Sequence, residues 1–417
     1  MARGAGLAGR SAAEWGIRGL LAAVAAICGY VSVSQVAAYG MRTRAPDRAH
    51  AIAPGDGRIT GQAAQAIAAD VQASPAARRR ADALAMLALR QDPTAVSAAS
   101  ALALNRQIGG DTAGARRLFG YAQRLSRREL QVQIWAIEDA VSRGDIAGAL
   151  THYDIALRTS RNAPDLLFPI LAAAIADPTV RQAVAARLAA RPPWGGAFVD
   201  HVAANGADPR STAQLFFALR RAAVPLSASA SAAIINALIV AGHEDEAWRY
   251  YASIRRGADR RRSRDPRFTD TPATPSVLDW TLVDEGAVAA SVQRGPSGSL
   301  LDFTAPPSVG GQVARQMQLL PPGTYRLSGR SAGIDQPTVS RPYWSLTCRK
   351  DGRELGRIDI LNSAQAGGVF GGGLNVPANC PVQTLTLVAR PSASLLGLTG
   401  QIEEVRLAPA QREGDRP

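Results

Sequence analysis

The sequence predicts a multidomain α + β chain, with an N-terminal transmembrane helix, an all-α solenoid and then an all-β sandwich of jelly-roll type. Three observations predict it. A charge-free apolar run fills residues 19–39. The pattern Gly-Asp-x-Ala-Gly-Ala occurs at residues 110–115 and again at 144–149, the copies starting 34 residues apart. Past residue 276 the apolar period changes from helical to alternating, while Gly and Pro become frequent.

The first element is the apolar run. Its twenty-one residues are just enough helix to cross a bilayer, which takes about 20. Arg3, Arg10 and Arg18 precede it and Arg42, Arg44 and Arg48 follow, so the flanking charge gives little orientation signal. Read as an uncleaved signal anchor, the chain has a cytoplasmic tail over 1–18, a span over 19–39, a linker over 40–59 and everything later outside the cytoplasm. A cleaved signal peptide is the rival reading, since Val36-Ala37-Ala38 has the small residues of a cleavage site. The run outlasts the 7–15 residues of an ordinary signal core, which favours the anchor. Cys28 lacks the preceding small residue that a lipoprotein site wants.

Helical periodicity then runs over 60–256. Each hexamer copy is followed at helical spacing by an aromatic and a small residue, Phe119 and Ala122 after Ala115, Tyr153 and Ala156 after Ala149. A third copy reads at Gly242, Ala247 and Tyr251, and a partial one at Ala81 to Pro93. With its period of 34, this segment resembles the tetratricopeptide-repeat family of stacked helical hairpins. The resemblance implies that Gly110, Gly144 and Gly242 allow the turn within a hairpin. It implies that Ala115, Ala149 and Ala247 let the helices approach, and that Phe119, Tyr153 and Tyr251 fill the groove between them. It also implies a protein partner held on the array. The aromatic and Gly positions of the family's first helix are largely missing, and 164–230 are periodic without the signature.

The net charge is +13, which raises nucleic acid as a partner. Lys350 is the only lysine, so the basic character is almost wholly arginine in an Ala-rich chain, a pattern that compositional bias explains. The arginines lie interleaved along helices as solvated faces do, and no nucleic-acid partner is expected. One dense run, from Arg255 to Arg267, is followed by Thr271-Pro272-Ala273-Thr274-Pro275; residues 257–275 read as a solvated Arg/Pro-rich linker. Contact with anionic headgroups or an acidic polysaccharide is the alternative use of that run.

Ten strand candidates follow, at 278–283, 287–293, 299–303, 312–319, 324–329, 343–348, 354–361, 369–376, 382–389 and 401–407, before a disordered tail at 409–417. Short strands divided by turn residues predict a β-sandwich over 276–408. Leu320-Pro321-Pro322-Gly323-Thr324-Tyr325, with an inward Trp on a later strand, resembles the galactose-binding-like jelly rolls used as carbohydrate-binding modules. The resemblance implies docking of sugars on exposed aromatics or polar loops. Tyr343 points opposite Trp344, and Phe370 lies in a Gly-rich stretch, so these two are the candidate glycan contacts. Trp280 and Trp344 each share a face with Leu and are expected in the core. Cys348 and Cys380 stand 32 positions apart in this domain and form a candidate disulfide in an oxidising compartment. Unpaired, they would serve as small apolar side chains.

Catalysis has little support. Asp284-Glu285 and Glu403-Glu404 are sequence neighbours, which a strand sends to opposite faces. The glycines at 367–373 lack the Lys-Ser/Thr of a phosphate loop, and the four histidines lack ligand spacing, so no metal or cofactor is expected. The expected function is a single-pass bacterial inner-membrane protein, its bulk periplasmic. It would scaffold exopolysaccharide assembly or export through protein contacts on the solenoid and glycan contacts on the sandwich. A polysaccharide hydrolase or lyase acting through the C-terminal domain is the alternative.

Overall fold

The computed structural model describes residues 12–270, 272–283, 286–295, 298–365 and 367–410. The neighbouring acids Asp284-Glu285 lie outside them, as do most of the C-terminal tail and residues 1–11 of the expected cytoplasmic tail. The chain divides into two compact units, Met1–Leu167 and Phe168–Pro417.

In the first unit, helix α1 (Ala12–Met41) is long and apolar enough to cross a membrane, a property it shares with signal sequences. At its C-terminal end Ala38 packs with Ala49, Ala53 and Ile59. The expected linker over 40–59 is instead largely helical, as α2 (Pro46–Ile52) and the start of α3 (Gly57–Ala69). Asp56 caps α3, accepting from the backbone N–H of Arg58 and Ile59. Helices α3, α4 (Pro75–Gln91) and α5 (Val96–Ile108) meet through alanines, among them Ala64, Ala81, Ala85, Ala88 and Ala98. Side chains this small let backbones approach closely, and a Cβ on Gly57 would stand 2.7 Å from the Ala88 carbonyl oxygen.

The repeated hexamer has one geometry in its two copies, at the turns between α5 and α6 (Thr112–Leu125) and between α7 (Leu130–Ser142) and α8 (Ile146–Thr159). Gly110 and Gly144 have φ of +84° and +72°, the left-handed region that only glycine enters without cost. Asp111 and Asp145 then cap the next helix, each Oδ1 accepting at 2.8 Å from the N–H of Gly114 or Gly148. The second glycine leaves room for this cap: a Cβ there would lie 2.2 or 2.1 Å from the carboxylate as placed, so a larger residue would make the Asp side chain shift. Ala115, Phe119, Ala149 and Tyr153 are buried, and Phe119 stacks on Trp135 with ring centroids 4.4 Å apart.

The second unit opens with the rest of α9 (Ala163–Ala174), then α10 (Pro178–Ala189), α11 (Gly195–Asn205), α12 (Pro209–Arg221), α13 (Ala228–Val240) and α14 (Glu244–Ile254). Phe168, Trp194, Phe198 and Phe216 form its aromatic interior. Gly242 again has positive φ, and Ala247 and Tyr251 are buried, but His243 provides no side-chain cap there.

Ten strands follow: β1 (Thr281–Leu282), β2 (Ala289–Gly295), β3 (Gly298–Ala305), β4 (Gly311–Gln318), β5 (Gly323–Ala332), β6 (Tyr343–Cys348), β7 (Glu354–Asp359), β8 (Val369–Val376), β9 (Gln383–Ala389) and β10 (Leu398–Pro409). They form two antiparallel five-stranded sheets, ordered β1-β4-β9-β6-β7 and β2-β3-β10-β5-β8. Between them lies one core that includes Trp280, Trp344, Leu346, Leu385 and Ile402. The first expected strand shrinks to two residues, because Asp279 accepts from the Ser276 N–H and hydroxyl and bends the chain before it.

Candidate functional site

Only part of the Arg-rich run is solvated: Arg256, Arg261, Arg262 and Arg267 are exposed, whereas Ser263, Arg264 and Phe268 are buried. Ser263 donates its N–H to the Leu407 carbonyl at 2.9 Å, and Val405 donates to the Pro266 carbonyl at 2.8 Å, so residues 263–266 lie along the second half of β10. Phe268 enters the sandwich core against Trp280, whose Nε1 donates to the Asp265 carbonyl. Arg264 is buried. Its guanidinium donates to the Leu278 carbonyl at 3.0 and 2.8 Å, to Gln318 Oε1 at 2.9 Å and to the Met317 carbonyl. Burial draws its pKa down to about 10, Tyr251 and Asp279 oppose that, and the side chain is charged at neutral pH. A fixed fork of donors matches such carbonyl clusters, as a lysine would not.

This strap joins α14 to the sandwich. Tyr251, predicted as a groove filler of the repeat, donates its hydroxyl to Asp279 Oδ1 at 2.9 Å. Burial pushes the Tyr251 hydroxyl pKa up and the neighbouring Asp279 carboxylate adds to it, so the phenol is neutral. Arg255 bridges Asp270 and Asp279, the latter at 3.3 Å. The cavity beneath the strap, about 470 Å³, is lined by Asp259, Asp265, Asp270 and Asp279 with Arg255, Arg262 and Arg264. Each of these carboxylates is engaged: Asp265 holds Thr269 and the Asp270 N–H, Asp279 holds Ser276, Tyr251 and Arg255, and Asp259 pairs with Arg262. Such carboxylates position loops.

The predicted glycan contacts divide. Phe370 is 3 % exposed and belongs to the sandwich core, so it cannot stack on a sugar at the surface. It alternates inward with Leu374 and Val376, and a Cβ on Gly329 of the paired strand would lie 2.3 Å from its ring. Tyr343 does point outward from the first sheet, with Arg357 and Arg390 over its ring at 4.2 and 4.5 Å from the centroid. Arg390 pairs with Asp359 at 2.8 Å and Arg357 with Glu354 at 2.8 Å. The Glu354 carboxyl sits below its usual range, mainly through the Arg357 hydrogen bonds. Thr384 of β9 and Arg315 of β4 continue the accessible face through the pairs Thr347↔Thr384 and Arg315↔Thr386, whereas Ser345 and Thr386 between them are buried. Planar guanidinium donors, carboxylates and hydroxyls presented together on a sheet face can hydrogen-bond vicinal sugar hydroxyls. Cys348 and Cys380 are bonded to each other, Cα to Cα 5.7 Å, and tie the end of β6 to the approach of β9.

No protein-family model and no curated relative matches the sequence. Among solved structures, the chain is similar to the enzymatically active domain of bacteriophage CBA120 tailspike protein 4 (11 % identity, TM-score 0.24), covering 32 % of this chain and 20 % of that one. It is similar to a carbohydrate-binding module, CBM4 (16 %, TM-score 0.26), covering 36 % of this chain and 96 % of that one. A third is TmCBM61 in complex with β-1,4-galactotriose (15 %, TM-score 0.23), covering 31 % of this chain and 88 % of that one. Each covers about a third of this chain, and at these scores none bears on function.

Proposed function

We propose that this protein is a membrane-anchored scaffold of the bacterial envelope, its sandwich docking a polysaccharide and its tetratricopeptide-like hairpins holding a protein partner. Exopolysaccharide assembly or export is the process this serves. The observation that carries the reading is the outward face of the first sheet, where Tyr343 lies among Arg357, Arg390 and Asp359, with Thr384 of β9 further along the same face. Helix α1 supplies a segment of membrane-crossing length. A binding role is preferred to hydrolysis or elimination because the carboxylates under the strap are committed to hydrogen bonds and ion pairs, whereas sugar hydrolysis needs two facing a substrate.

The test is affinity electrophoresis of the full chain in detergent through gels containing neutral or acidic polysaccharides. Retardation by at least one polysaccharide is expected, weakened about tenfold in Tyr343→Ala as the ring and its guanidinium partners are lost. A wild-type chain retarded by none, or a Tyr343→Ala chain retarded equally, refutes docking on this face.

A further inference from the structure

A second cavity, of about 600 Å³, opens beside α12, α13 and α14 and the loop before β1. Arg191, Arg220 and Arg255 line it, with Val224, Ile235 and Ile254 as apolar wall. Its volume is that of a small-molecule pocket. Three arginines and one carboxylate, Asp279, give its lining an excess of positive charge. Among the described residues, Arg191 and Arg220 have no carboxylate within ion-pair distance; Arg191 Nη2 donates to the Ala223 carbonyl at 3.2 Å and Arg220 Nη2 to the Ser253 carbonyl at 2.6 Å. Arg255 shares Asp279 with Ser276 and Tyr251, and its Nε is buried without a hydrogen-bond partner.

Backbone strain marks the same place. Where α10 ends, Arg191 has a φ of 51°, and where α12 ends, Ala223 has a φ of 53°. The turns at residues 110, 144 and 242 use glycine in this conformation. A side chain there has a steric cost, and Arg191 also precedes Pro192, which disfavours helical backbone. Arg191 thus holds a strained backbone position while its guanidinium reaches the Ala223 carbonyl and the cavity.

We infer that this cavity binds the oxyanion of a sugar-sized ligand, a uronate or a sugar phosphate, with Arg191 and Arg220 on the anion and Val224 and Ile235 against the ring. The site is separate from the Tyr343 face and does not rest on polysaccharide docking there.

Calorimetric titration of the full chain in detergent, at about 20 mM salt to limit screening, would use glucuronate, glucose 6-phosphate and glucose. Binding of glucuronate or glucose 6-phosphate without glucose is expected, and which of the two binds tells carboxylate from phosphate. Arg191→Gly and Arg220→Gln each weaken the anion about tenfold or more. Arg191→Gly also raises Tm by roughly 2–4 °C, as relief of the left-handed strain requires. Tyr343→Ala leaves the affinity unchanged. Absence of binding by either anion, equal binding of glucose, or full affinity in Arg191→Gly overturns the assignment.

Discussion

Replacing Arg264 by Met should destabilise the second unit more than any other single arginine change in the 255–267 run. The methionine covers similar apolar area but leaves the carbonyls of Leu278 and Met317 and Oε1 of Gln318 without their donor. An unsatisfied buried acceptor costs about 1–3 kcal/mol. Three of them, eased by partial relaxation, give a loss of about 3–5 kcal/mol. Arg264→Lys keeps the charge but cannot fork to the same acceptors and should lose about 2–3 kcal/mol. Arg262→Ala is the comparison: its pair with Asp259 is 55 % and 45 % exposed, and the loss should stay below about 0.5 kcal/mol. Urea unfolding of the full chain, followed by tryptophan fluorescence, measures all three. Hydrogen exchange at the Ser263 and Val405 amides reports whether the strap has left β10. If Arg264→Met matches Arg262→Ala in midpoint, with both amides still protected, the strap is not held by Arg264 and its assignment to the sandwich fails.

Other substitutions probe the remaining claims. Phe370→Ala should cost about 3–5 kcal/mol through a core cavity, while polysaccharide retardation below the unfolding temperature stays at the wild-type level; selective loss of retardation would restore Phe370 as a contact. Replacing Cys348 and Cys380 together by Ala should cost about 3–4 kcal/mol for a loop of this length, read as a urea midpoint that reductant lowers in the wild type only. Asp208 is held below the usual carboxylate range, first by the Ser211 hydroxyl and then by the Arg210 and Ser211 N–H groups, with burial opposing. A depressed folded pKa gives stability that is present above the unfolded value of about 3.9 and lost as pH falls through the folded one. Asp208→Asn keeps a capping side chain, so its urea midpoint should lie below wild type at pH 6 and converge on it by pH 2; a gap independent of pH would refute the linkage.

The β-domain was largely readable because alternation is a local property. Tyr343, Ser345 and Thr347 opposite Trp344, Leu346 and Cys348 fix that strand's register. The same alternation ran through Phe370, Leu374 and Val376, but the intervening glycines have no side chains to display it, and the flexible-looking composition suggested exposure. Gly110, Asp111, Gly114 and Ala115 were legible as a unit because turn, cap and close approach all act within six residues. Arg264 was not. Nothing adjacent to it distinguishes it from Arg262, and what buries it are Gln318, Met317 and Leu278, brought near only by tertiary folding. Charge density read locally predicts solvation, and a guanidinium with three buried acceptors waiting is the exception. In the 40–59 segment Pro46 and Gly57 open helices, where they do not interrupt them, and of its Pro and Gly residues only Pro54 and Gly55 lie in a turn.

The strap also bears on how such a protein can change over time. Domains that meet through an exposed linker can be exchanged by recombination anywhere within it. Here a crossover between residues 255 and 280 would separate Tyr251 and Arg255 from Asp279, or Arg264 from Gln318, and leave either half with buried groups that only the other satisfies. The sandwich and α14 are therefore inherited together. A gene fusion that transplants this sandwich must carry the strap and the last helix, or replace the polar residues that face them.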